Sequence, residues 1–213
     1  MNARDALGRL HALRVPAATT ADTAAVLGIS TEAASHTLRR LAQAGLVTPV
    51  RKGLWALTDE PDPLALAEYV TAPYPSYVSL QTALYRHGMV SQIPEVIYLV
   101  SLARTARIKT ELGTYSVHHV QPELFAGFEF DPESGMKLAS PEKALVDFLY
   151  LSPTRSRLFA ALPEVELPRR FRARAARAWV GHIPSVRLRT IVDRELRQVL
   201  SRASAPGARP GPR

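Results

Sequence analysis

The chain has 213 residues, no cysteine, 46% hydrophobic residues and a formal net charge of +8 at pH 7. That length suffices for one large domain or two small ones, each with its own core, and the missing cysteine excludes disulfides, thiolate nucleophiles and cysteine metal sites. No run approaches the ~20 apolar residues of a membrane helix and no apolar segment follows a basic start, so the expectation is a cytoplasmic protein without a membrane partner, whose basic balance favours a polyanion.

The charge is unevenly placed. Residues 1–60 carry seven Lys/Arg against five Asp/Glu, residues 61–150 six against ten, and the remainder fourteen against four. The excess is an arginine concentration near the C-terminus, with a near-neutral front and a mildly acidic middle, and any electrostatic contact with phosphate must explain that asymmetry.

Leucines at 7, 10 and 13 recur at helical spacing and predict a first helix from Ala3 to Leu13. After "RVPAATT", Thr20 is placed to cap a second helix that ends at Gly28, and Ser30 to cap a third. In the third, Ala34, Leu38 and Leu41 share one face while Ser35, His36, Arg39, Arg40 and Gln43 fall away from it, and Gly45 ends it. "LVTPVRKGLWAL" then predicts a hairpin with Arg51, Lys52 and Gly53 at its tip. Helix, helix, tight turn, helix and basic hairpin is the layout of a winged helix-turn-helix over residues 1–60. The prolines and acids near 59–64 mark a linker or the start of a second domain, expected to run to about residue 200.

The second segment reads as mixed α and β, which makes the whole chain α+β. Ser79 to Gly88 predicts a helix, 95–102 and 115–120 two strands, and "LASPEKALVDFLYL" a helix capped by Ser140 with Pro141 at its first position. Arginine-rich helices are expected near 168–180 and 185–200. The first should carry an apolar stripe of Phe171, Ala175 and Ala178 beside a basic one of Arg170, Arg174 and Arg177, and Asp193 can pair with Arg189 or Arg197. The small, proline-rich basic tail, 201–213, is expected to be disordered.

A helix entering a major groove needs small or polar residues near its start and cationic or amide groups reaching outward. Thr31, Glu32 and Ser35 lie at the leading end. The candidate DNA contacts are Thr31, Ser35, His36, Arg39, Arg40, Gln43, and Arg51 with Lys52 at the hairpin tip. The alternative is an ordinary bundle with a solvated face, which requires no basic hairpin. For Arg170, Arg174 and Arg177, phosphate contact and a plain solvated face are both open readings.

Enzyme chemistry has little support. His118 and His119 would point to opposite strand faces, His87 closes a helix, Asp131 with Glu133 sits in a turn, and Glu142 with Asp147 is five residues apart. No phosphate loop, dinucleotide fingerprint or nucleophile elbow is present. The expectation is a non-enzyme with no metal or cofactor; the competing reading is a nucleic-acid-directed enzyme delivered by the front domain.

Three blocks together resemble the AbiEi family of antitoxins and regulators from type IV toxin-antitoxin systems of phage defence: the winged-helix front, "YVSLQTALYRHGMVSQIPEVIYLVS" beside the family's "SLxSALxxHGL…IPxxIY", and "KLASPEKALVDFLYL" beside its "IASPEKALLDLLY". The matching residues are Ser79, Ala83, Leu84, His87, Gly88, Pro94 and Tyr98, then Ser140 to Leu145 and Asp147. The resemblance spans roughly residues 5–151. It implies a winged helix on operator DNA, often inverted repeats, that represses its own operon. It also implies a second domain that counters a nucleotidyltransferase-like toxin without a tight complex. Family members also occur as solitary regulators.

Overall fold

The computed structural model describes residues 2–132, 134–152 and 164–203, in an α+β arrangement. The N-terminal unit is a winged helix: α1 (Ala3–His11), β1 (Ala17–Thr19), α2 (Thr20–Leu27), α3 (Thr31–Gln43), β2 (Thr48–Arg51) and β3 (Leu54–Ala56). The strands form an antiparallel sheet in the order β1-β3-β2. Leu10, Leu38 and Leu41 are fully buried together with Val47 and Leu57, each contributing about 1.5–3 kcal/mol of transfer free energy.

Two local expectations are corrected here. Helix α1 stops at His11, so Leu13 lies beyond it and is 39% exposed while Ala6 joins Leu10 in the core. The cap of α2 is Thr19, not Thr20: Thr19 Oγ1 accepts from the Asp22 amide at 3.0 Å and Asp22 accepts from the Thr19 amide at 2.9 Å. This closed capping box outcompetes a cap one residue later, and it releases the Thr20 hydroxyl to accept from the Trp55 indole at 3.2 Å. Ser30 caps α3 as expected, accepting from the Ala33 amide.

The remainder is built on a six-stranded mixed sheet in the order β6-β7-β5-β4-β9-β8. Its strands are β4 (Ser76–Val78), β5 (Ile97–Ser101), β6 (Ala106–Thr110), β7 (Gly113–His119), β8 (Phe128–Phe130) and β9 (Lys137–Ala139). One face carries α5 (Leu80–Arg86), α6 (Pro141–Leu151), α7 (Ala173–Gly181) and α8 (Val186–Ala203), packed on Tyr77 and Val100. The other face carries Val78, Leu99, Tyr115 and Val117, and it packs against α4 (Ala67–Thr71) and against Ala17, Val50, Leu54 and Ala56 of the winged helix. One hydrophobic cluster therefore crosses the composition change near residue 60.

Further differences follow from tertiary partners. Ser79 precedes α5 but makes no capping bond, because its hydroxyl donates to Asp147 Oδ2 at 2.8 Å. The next residue, Leu80, adopts φ 53°, a conformation uncommon for a residue with a β-carbon. Helix α7 begins at Ala173, leaving Phe171 and Arg170 before it, and its buried positions are Ala176 and Val180, with Ala178 exposed. Asp193 pairs with Arg197, whereas Arg189 donates to the Ile183 carbonyl at 2.8 Å. Helix α8 runs on to Ala203, into the expected tail; residues 204–213 lie outside the described residues, as does Glu133.

Candidate nucleic-acid interface

Helix α3 has Ala34, Leu38 and Leu41 inward, which fixes what faces out. With 3.6 residues per turn, positions i, i+4, i+7 and i+11 share a stripe, and Glu32, His36, Arg39 and Gln43 occupy it; all four are exposed. Arg39 reaches back along the helix. Its Nε donates to the Ser35 carbonyl at 3.3 Å and its Nη2 to His36 Nδ1 at 3.4 Å. Since Nδ1 accepts, the neutral ring carries its proton on Nε2.

The wing is held at a set distance from this helix. Lys52 and Gly53 form the turn between β2 and β3, and Gly53 at φ 78° supplies the left-handed conformation such a tight hairpin needs. The Gly53 carbonyl accepts from the Thr20 amide at 2.9 Å and Trp55 donates to the Thr20 hydroxyl, so the wing is tied to the first residue of α2. Pro49 is tolerated because β2 is an edge strand with a register irregularity there.

Between helix and wing lies an open concavity of about 700 Å³. Thr31, Glu32, Ser35, His36 and Arg39 line one side; Pro49, Arg51, Lys52, Gly53 and Trp55 line the other, with Thr20 at the base. Six of the expected contact residues thus meet in one groove. Gln43 sits farther along the same stripe, one turn beyond Arg39. Arg40 is exposed but lies about 100° round the helix from Arg39 and is not part of the groove lining.

Two acids in the groove stand out against its basic rim. Glu32 has its carboxyl held below the usual range by the backbone amide at Glu32 and then by the Ser30 hydroxyl. Glu111 enters from the turn between β6 and β7, and its amide donates to the Val50 carbonyl at 3.0 Å. No local pattern could have revealed Glu111, since its neighbours in sequence belong to the other half of the chain. The stripe that holds His36 and Arg39 does include Glu32.

Arg174 and Arg177 are exposed on α7 and Arg170 is exposed just before it. They belong to the helical layer packed on the sheet face opposite the winged helix, so they do not continue the groove as one strip.

The second half holds a polar cluster of another kind. Asp147 accepts from Ser79, from Lys143 and from Tyr77 at 2.9 Å, while Lys143 Nζ donates to Tyr77 Oη at 2.9 Å. The Lys143 and Asp147 side chains are 1% and 3% exposed, so this network locks β4 to α6 out of reach of a substrate. Glu142, also buried, accepts from the Arg172 amide at 2.7 Å. His118 is buried and His119 exposed, in keeping with their opposite faces, and His87 Nε2 donates to the Ala139 carbonyl at 2.7 Å. Among the described residues no three of His, Cys, Asp and Glu converge as metal ligands, and no helix is long and apolar enough to cross a membrane.

Residues 5–58, the segment from α1 through β3, match the family model described as transcriptional regulator, AbiEi antitoxin. No curated protein matches the chain.

Proposed function

We propose that this chain is a double-stranded DNA-binding transcriptional regulator that acts as the antitoxin of a type IV toxin-antitoxin system, repressing its own operon and countering a nucleotidyltransferase-like toxin. The observation that carries the DNA-binding half is the groove itself. A helix with its polar stripe outward faces a basic hairpin tip across an open concavity, and the AbiEi antitoxin regulator match covers that segment. Residues 1–60 are the DNA-binding domain in this reading and 61–200 the antitoxin domain.

In that mode α3 lies in the major groove, with Thr31, Ser35, His36, Arg39 and Gln43 toward base edges. Arg40, Arg51 and Lys52 meet flanking phosphates or the minor groove. Arg170, Arg174 and Arg177 are proposed as phosphate contacts outside the groove, to DNA flanking the operator. The toxin half of the reading rests on the family match and on the motif blocks at Ser79–Gly88 and Ser140–Asp147.

A mobility-shift titration on the DNA upstream of its own gene, repeated at rising salt, tests the first half. The expected result is a sequence preference that survives salt and an affinity that falls steeply with it; equal binding to unrelated duplexes at every salt concentration overturns operator recognition. Co-expression with the product of an adjacent nucleotidyltransferase gene tests the second half. Rescue of growth is expected, and continued growth arrest overturns the antitoxin role.

A further inference from the structure

The proposed DNA contacts leave one groove residue without a task. Glu32 is exposed, sits on the outward stripe with His36 and Arg39, and enters none of the ion pairs among the described residues. The acids at the starts of the preceding helices are engaged differently: Asp22 closes the capping box of α2 and Asp5 pairs with Arg9 in α1. A carboxylate facing DNA is repelled by every phosphate it approaches, so at the leading end of a reading helix it favours duplexes that offer it a hydrogen-bond donor.

The base edges offer such a donor. An ionised carboxylate accepts hydrogen bonds and donates none. In the major groove guanine shows two acceptors, thymine an acceptor and a methyl group, and adenine a donor beside an acceptor; cytosine alone shows a donor with no acceptor next to it on the same base. The Ser30 hydroxyl caps α3, so Glu32 stands in the first turn of that helix, on its outward stripe and on the lining of the groove.

We infer that Glu32 is a specificity-determining residue that selects cytosine in the operator by accepting from its N4 amino group. Seven residues of helix separate it from Arg39, about 10 Å at 1.5 Å per residue. The inference rests on the DNA-binding reading above and deepens it.

Selection of bound duplexes from a randomised pool, with the full chain and its Glu32→Gln, Glu32→Asp and Glu32→Ala variants, tests it. The wild type is expected to enrich a C·G pair at one position by about tenfold or more. Glu32→Gln should move that preference toward adenine, which the amide pairs bidentately. Glu32→Ala and the shorter Glu32→Asp should abolish it and leave the other positions as they were. A purely helical or electrostatic role for Glu32 predicts something else: Glu32→Asp silent, and Glu32→Ala and Glu32→Gln binding every sequence more tightly with an unchanged consensus. That outcome overturns the inference and leaves operator recognition standing. A wild type that enriches no sequence overturns both. Circular dichroism of each variant confirms the fold, which an exposed position leaves intact.

Discussion

Tyr77 on β4 donates its hydroxyl hydrogen to Asp147 on α6 at 2.9 Å, across 70 residues of chain, while accepting from Lys143 on the same helix. The helix therefore reaches the sheet through a sealed ion pair whose members are four residues apart. Removing one member strands the other in a low-dielectric site. Asp147→Asn or Lys143→Met is expected to cost about 3–5 kcal/mol in urea unfolding, and the double change Lys143→Met with Asp147→Leu far less than the sum.

Stability should also fall at alkaline pH. Burial, then the charge and hydrogen bond of Asp147, push the Tyr77 hydroxyl well above its ordinary value, and burial pushes Tyr115 up as well. An unfolded chain loses these protons near pH 10 while the native chain keeps them. The contribution is thus fully present below about pH 10 and is lost as pH rises toward the folded values. The urea midpoint should be flat through neutral pH and drop between about pH 10 and 12. Tyr77→Phe with Tyr115→Phe should flatten that drop, while lowering the midpoint at neutral pH through the hydrogen bonds they forfeit.

The proposed base and phosphate contacts in the groove should separate by their salt dependence. Arg39→Ala should cost about 1–3 kcal/mol on the preferred duplex and little on random DNA, whereas Lys52→Ala should weaken both alike and lower the salt slope by about 1. Fluorescence anisotropy at several salt concentrations distinguishes the two. A further reduction in slope on changing Arg174 and Arg177 to alanine is expected if α7 meets flanking phosphates.

The winged helix was legible because its signals are local: Ser30, Gly28 and Gly45 punctuate it, and Ala34, Leu38 and Leu41 give the helical period. The strands β1, β4, β8 and β9 are three residues each, too short to show any alternation, and exist only because a neighbouring strand pairs with them. Helical spacing places Arg170, Arg174 and Arg177 on one stripe, but Arg170 lies before the helix. Pro168 and the Glu142 carboxylate, which takes the Arg172 amide, set a later helix start than periodicity suggests. Glu111 in the groove was invisible for the same reason, being delivered by a sheet edge rather than by its own segment.

The two halves should unfold together. Val50 is fully buried and Leu54 nearly so, in a cluster with Leu66, Val70, Leu99 and Tyr115, so the back of the wing cannot separate from the second sheet without exposing both surfaces to water. The chain has two tryptophans, Trp55 in the wing and Trp179 on α7, which report on opposite ends of the molecule. In single-tryptophan variants, Trp179→Phe and Trp55→Phe, each denaturation curve should coincide with its own far-ultraviolet circular dichroism curve. Val50→Ala, costing about 1–3 kcal/mol through a lost pair of methyl groups and the cavity behind them, should shift the Trp55 and Trp179 transitions by equal amounts. A wing that melts first while Trp179 keeps its native midpoint would mean that the shared cluster does not couple the halves.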